Sequence, residues 1–118
     1  MSRRMERIDQ QLRSEIARVL REEATDPRIR MVTLTRVDCA PDLSSALVFW
    51  SSIEADGEQA LSEIEAGLAS AAAFVRRRIA QVLPLRRTPR LEFRFDPSLE
   101  QGSRTLSLLR EISDGEKA

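Results

Sequence analysis

Apolar residues in the first quarter of the chain fall at three- and four-residue steps: Met5, Ile8, Leu12, Ile16, Val19 and Leu20. That spacing matches the α-helical turn and predicts an amphipathic helix over residues 3–23. Arg3, Arg7, Arg18 and Arg21 fall on the opposite face, among Gln10, Gln11 and Ser14. Asp26-Pro27-Arg28 then ends the helix, because proline cannot donate the next backbone hydrogen bond and pushes its predecessor toward extended geometry.

The period next changes to two. Met31–Thr35 alternates and is β-branched, which predicts a strand. Ala40-Pro41-Asp42-Leu43-Ser44 reads as a turn, and Ala46–Ser51 as a second strand, so the pair forms a hairpin. Ala46, Val48 and Trp50 share one face of that strand; Leu47 and Phe49 share the other. Two readings of the second face stay open: cover by the chain ends, or an exposed surface for a protein partner.

Asp56 is the expected cap of a further helix, with Glu58 favoured in its first turn. Leu61, Ile64, Leu68, Ala71 or Ala72, Val75, Ile79 and Leu83 carry its stripe as far as Pro84. A single helix of that extent has about 26 residues, longer than a small domain is wide. A bend among the small residues Ala69 to Ala73 is therefore expected to divide it in two. Leu91, Phe93 and Phe95 alternate with Arg90, Glu92 and Arg94 in a third strand, which Asp96-Pro97-Ser98 ends. The predicted order is helix, strand, strand, helix, bend, helix, strand. That makes one α+β domain over residues 1–109, with a flexible tail over 110–118.

Composition narrows the chemistry. With 118 residues, 42% hydrophobic and 32% charged, the chain fits a soluble domain that needs neither disulfide nor metal to build its core. No apolar run reaches the length of roughly 18 residues that spans a bilayer. The N-terminus opens into a charged helical pattern and Cys39 is the lone cysteine, so the cytoplasm is the expected compartment, without membrane association. The absence of histidine removes the commonest general base and the commonest transition-metal ligand. Cys39 has no imidazole to activate it, and the carboxylates do not follow the spacing of a metal loop. No catalytic residue, metal or cofactor is expected.

Charge supplies the positive signal. The net charge is zero, and eighteen of the nineteen cationic residues are arginine, which a biased base composition can produce by itself. Clustering is the better evidence. Arg76 to Arg94 holds seven arginines and one acid, Glu92, whereas Asp38 to Glu65 holds seven acids and no base. A basic zone on ordered elements points to a polyanion partner. On the helix, Arg77 lies opposite the core stripe and Arg76 and Arg78 flank it. Arg86 and Arg87 follow in a loop, and Arg90 and Arg94 project from the polar face of the last strand. These seven, with Arg3 and Arg7, are the candidate phosphate contacts, and Arg77, Arg86 and Arg87 carry most of the expectation. The competing reading pairs them with the acids of residues 54–65. Most of the aromatics fall at core-facing positions, with Phe74 on the outer side if the helix is straight, so shape and charge rather than base stacking would guide recognition. The acidic segment reads as a solvated loop, or as a means of fixing orientation by repelling phosphate.

Several strings also occur in order at the spacing of a known family: Glu15-Ile16, Asp26-Pro27-Arg28-Ile29, Val32-Thr33-Leu34-Thr35, Pro41-Asp42-Leu43-Ser44, Phe74-Val75-Arg76, Leu85-Arg86, Pro89-Arg90-Leu91-Glu92-Phe93 and Asp96-Pro97-Ser98-Leu99-Glu100-Gln101-Gly102. From about Arg3 to Leu109 the chain resembles bacterial ribosome-binding factor A. The resemblance implies a type II KH-like domain, with a three-stranded sheet and helices on one face. It also implies a non-catalytic monomer that binds the free 30S ribosomal subunit, assists late maturation of 16S rRNA, supports growth in the cold and is linked to an assembly GTPase. The Gly-x-x-Gly loop of ordinary KH modules is missing here. The family's Ala-x-Gly kink matches Ala71-Ala72-Ala73, where alanine replaces the glycine.

Overall fold

Ser2 opens the first helix: its hydroxyl accepts the Met5 backbone N–H at 3.1 Å, and α1 runs Arg3–Glu23. The computed structural model describes residues 2–97, so the tail expected over 110–118 lies outside the described residues. The Asp-Pro-Arg break is more than a break. Asp26 Oδ1 accepts the Arg28 N–H at 2.9 Å, and with Pro27 in the first position it starts a short helix α2, Pro27–Arg30.

That turn consumes the residues before the first strand, which is why β1 spans Thr33–Cys39 and not the expected Met31–Thr35. It pairs antiparallel with β2, Ser45–Ser51, and the register shifts between Leu34 and Arg36. Thr35 is the extra residue of this bulge, and its hydroxyl donates to the Asp96 carboxylate at 2.7 Å. Beyond the bulge the alternation resumes with Val37 inward and Arg36 and Asp38 outward.

The longest element is α3, Glu58–Val82. Its cap is Gly57 and not the expected Asp56, because the chain enters at φ 92°, a conformation that favours glycine. The expected division at Ala71–Ala73 is not there: the helical run passes through these residues unbroken. Alanine favours the helix by about 1 kcal/mol over glycine, and three in succession remove the local reason to break. Its length follows from topology. β3, Arg90–Phe95, pairs parallel with β2, so the chain must travel back along the sheet between Ser51 and Arg90. A continuous helix of 25 residues makes that return.

The strand order is β1-β2-β3, and both long helices cover one face of the sheet. Leu12, Ile16, Val19 and Leu20 of α1 meet Ile64, Leu68, Val75 and Ile79 of α3 over Val48 and Trp50, all essentially inaccessible. Trp50 meets Phe95 edge-on at 5.1 Å between centroids. Gly67 has a definite task here: a Cβ on it would lie 2.9 Å from both Asp26 Oδ2 and Ile29 Cγ2. Its bare Cα is what lets α2 approach α3.

Candidate nucleic-acid interface

Two ties gather one end of the molecule. Asp9 on α1 accepts the Cys39 N–H at 2.9 Å, and Arg90 N–H at the start of β3 reaches Ser44 O at 3.1 Å. Both therefore hold on to the turn between β1 and β2, at the end of the sheet toward which α3 runs. The turn itself is stiff: Asp42 Oδ1 accepts from the Ser44 N–H at 3.0 Å and from its hydroxyl at 2.7 Å, and Leu43 is buried at φ 60°. These bonds to Ser44, and the Arg87 charge, hold the Asp42 carboxyl below its ordinary range.

Two grooves open at this end. One, of about 740 Å³, runs between the start of α1 and the turn and is lined by Arg4, Met5, Asp42, Arg86 and Arg87. The other, of about 700 Å³, lies between α3 and the start of β3. Ala69, Ala72, Ala73 and Ala80 form its floor, and Arg76, Arg77 and Arg90 its basic margin; no acid lines it. Small side chains on the floor leave the backbone approachable, and the guanidinium groups around it offer planar donors to phosphate.

The predicted arginines do not share one role. The side chains of Arg77, Arg86 and Arg90 are exposed, with no hydrogen-bonding or ion-pair partner among the described residues. Arg87 is equally exposed and feels only the nearby Asp42 charge. Arg3 and Arg7 are exposed and unpaired among the described residues, on the first turns of α1. Arg76 is occupied: its Nε and Nη2 donate to the Thr88 carbonyl at 3.3 and 2.9 Å, which fixes the loop before β3. Arg78 lies half-buried with its Nε 2.8 Å from Glu23 Oε1, an ion contact off hydrogen-bonding angle, and its Nη1 donates to Gln81. It clasps α3 to the end of α1. Arg94 leaves the groove margin for the outer sheet face, 3.4 Å from Glu92.

Sequence reasoning missed Arg4, which faces Arg86 and Arg87 across the first groove. Its signal was available: Arg4 stands one helical turn before Ile8, on the border of the apolar stripe and toward the turn. Arg18 stays out of the basic set, because Glu15, Glu22 and Glu23 all bind it and raise its pKa.

A third cleft is more acidic. A cleft of about 650 Å³ between α2 and α3 carries Glu23, Asp26 and Glu63, with Arg28 bridging to Glu63 at 2.6 Å. The charges of the sequence are thus clustered rather than parted: acids gather at this cleft, while Asp42 lines the first basic groove and Arg78 reaches Glu23. Half-burial and the negative charges of Asp9 and Asp42 push the Cys39 thiol up to about 11, so at neutral pH it stays in the unreactive protonated form. Among the described residues there is no group of three His, Cys, Asp or Glu able to hold a metal, and no helix is long and apolar enough to cross a membrane.

A three-stranded mixed sheet with helices on one face and a basic groove beside an edge strand defines a KH-like α+β domain. Comparison with known proteins supplies the family. The profile of ribosome-binding factor A matches residues 4–109, and the chain belongs to that family. It is 41% identical over 113 residues to ribosome-binding factor A of Pelobacter propionicus, covering 96% of this chain and 91% of that one. It is 38% identical over 109 residues to that of Aromatoleum aromaticum, covering 92% and 84%. Among solved structures, the crystal structure of the factor from Thermus thermophilus superposes with a TM-score of 0.66 at 24% identity, over 76% of this chain and 93% of that one. A homology model of the Thermus thermophilus factor, fitted into a cryo-electron-microscopy map of a 30S complex, gives 0.60 at 25% identity, over 75% and 91%.

Proposed function

We propose that this protein is a ribosome assembly factor that binds the free 30S subunit through its cationic end and assists late maturation of 16S rRNA without chemistry of its own. The observation that carries the reading is the convergence of unpaired arginines from three elements, α1, the loop before β3 and α3, around two grooves whose floors are small or apolar. Family membership and the 30S complex of a similar protein support the choice of polyanion.

In this reading Arg77, Arg86, Arg87 and Arg90 contact phosphates, joined by Arg3, Arg4 and Arg7. Arg76 and Arg78 hold the groove in shape, and Arg94 lies outside it on the outer sheet face. The acids of the cleft between α2 and α3 repel phosphate there, which favours approach of RNA to the grooves. With no aromatic at the groove floors, recognition rests on backbone charge and shape rather than base identity. The protein acts as a cytoplasmic monomer bound to one subunit, released in connection with an assembly GTPase, and its contribution is largest in the cold.

Replacement of Arg77, Arg86 and Arg87 together by alanine tests the assignment. Co-sedimentation with purified 30S subunits should fall at least tenfold while thermal stability changes little. Wild-type binding by that variant would remove these residues from the interface.

A further inference from the structure

The cleft between α2 and α3 makes no phosphate contact in the RNA reading, and its lining combines two chemistries. Ala24, Ile29, Ala66 and Ala71 give it an apolar floor, to which Phe74 adds a half-exposed ring. Glu23, Asp26 and Glu63 give it an acidic rim, and Arg28 is the one cation among the described residues that line it. Because α3 is continuous, Glu63 and Phe74 stand three turns apart along one helix, about 16 Å. The cleft therefore has the length of about five residues of extended chain.

The acids are spread along that length. Glu63 marks one end. Asp26 stands beside Gly67, its Oδ2 lying 2.9 Å from the place a Cβ would take there. Glu23 is at the other end, 2.8 Å from Arg78. Their charges are only partly met within the chain. Arg28 lies 2.6 Å from Glu63 Oε2 and 3.5 Å from Asp26 Oδ1, and Arg18 and Arg78 share Glu23. Asp26 Oδ2 and Glu63 Oε1 have no hydrogen-bond partner among the described residues. The Arg28–Glu63 pair is exposed to solvent, and such a pair is easily shared with an incoming cation. The Phe74 ring likewise carries no cation among the described residues.

These features select one kind of occupant. The acids repel phosphate, so an RNA backbone does not fit. A purely apolar segment would cover the two carboxylate oxygens and leave them without partners. A bare metal ion finds no group of three ligating side chains among the described residues. A long cationic side chain suits both surfaces: its methylene stem lies on the alanines and Ile29, and its head reaches a carboxylate or the face of Phe74. We propose that the cleft is a docking groove for an extended, arginine- and lysine-rich segment of a partner protein, with Asp26 and Glu63 as its charge contacts and Phe74 as its cation–π contact. The α3 residues that line the cleft are centred about 120° round the helix from those that line the basic groove beside β3, so both sites can be filled at once. The inference stands on the cleft alone and does not rest on the RNA reading.

The test uses the full-length protein, labelled with nitrogen-15, and a capped peptide of about five residues that alternates arginine with alanine. Titration to about 5 mM peptide should move the backbone amide signals of Ala66, Gly67, Ser70 and Phe74, with a dissociation constant of about 0.1–1 mM. Glu63→Gln, at an exposed helical position, should weaken that binding at least threefold. Phe74→Leu, which keeps the apolar bulk, should weaken it at least twofold. The same spectra show whether each variant is folded. A peptide with glutamate in place of arginine should leave the cleft signals unmoved. An unmoved cleft at the highest concentration of the arginine peptide, or unchanged affinity in either variant, overturns the proposal. So do equal shifts with spermidine, which has the charge without the chain, or movement of the cleft signals by a single-stranded RNA oligonucleotide and not by the peptide.

Discussion

Arg76, Arg77 and Arg78 are consecutive in sequence and hold three different positions, so replacing each by alanine should give three different results. Arg77 has no partner among the described residues, and its loss should change stability by less than about 0.5 kcal/mol. It should instead remove one phosphate contact, lowering the slope of log affinity against log salt by about 0.7–0.9. Arg76 gives two N–H groups to the Thr88 carbonyl in an exposed setting. Its replacement should cost about 0.5–1.5 kcal/mol through loosening of the loop before β3. Arg78 forms the half-buried contact with Glu23, and removing it should cost up to about 1 kcal/mol while leaving the salt slope nearly unchanged. Urea denaturation followed by circular dichroism measures the first quantity. Fluorescence anisotropy with a 16S rRNA fragment, titrated at several salt concentrations, measures the second. This division of roles is refuted if Arg77→Ala destabilises more than Arg78→Ala, or if Arg78→Ala flattens the salt slope as much as Arg77→Ala does.

Gly67→Ala should destabilise by about 1–3 kcal/mol in urea melts, although alanine is the better helix former, because the new Cβ meets the buried Ile29 methyl at 2.9 Å. A neutral or stabilising result would show that α2 can shift away cheaply. Ala73→Gly, which restores the glycine of the family's kink, should cost about 1 kcal/mol, since Ala73 is exposed in an unbroken helix. Equal stability would mean that the helix is already bent there. Asp9 carries a pKa raised by burial, with Asp38 and Glu6 adding to the effect against the opposing Cys39 N–H bond. A raised folded-state pKa means that the ionised carboxylate weakens the fold above that value and that acidification through it relieves the penalty. Asp9→Asn keeps the acceptor for Cys39, so it should be more stable than wild type at pH 7, with the difference shrinking as pH falls through the carboxylate range. A difference that grows on acidification would contradict the assignment.

The helical stripe of α1, the faces of β2 and the alternation of β3 were legible from periodicity alone, because burial on one face leaves a direct trace in residue spacing. The entry into β1 was not, since the Asp26 cap converts a proline break into a helical turn and delays the strand by two residues. The bend in α3 was inferred from its length, before the parallel return to β3 could be known to require a helix that long. Local chemistry at Ala71–Ala73 then decided for continuity. At the basic end, clustering in sequence singled out the whole run and favoured Arg77, Arg86 and Arg87, but it could not supply the partners of Arg76 and Arg78, since Thr88 and Glu23 come from other parts of the fold. Arg4 stood legibly on the border of the α1 stripe, but its place beside Arg86 and Arg87 depends on how α1 is seated against the turn. The alignment of Arg36, Phe49 and Arg94 across the outer sheet face depends on a bulge and a register, neither of which leaves a mark on composition.

The most direct test of the cationic end is the salt dependence of binding to purified 30S subunits. Wild type should show log affinity falling steeply with log salt, at about 0.7–0.9 for each contacted phosphate. The combined replacement of Arg77, Arg86, Arg87 and Arg90 by alanine should reduce that slope by about 3 while the fold stays intact. A slope already flat in wild type, or one unchanged by the four replacements, would mean that the unpaired arginines are not where this protein meets RNA.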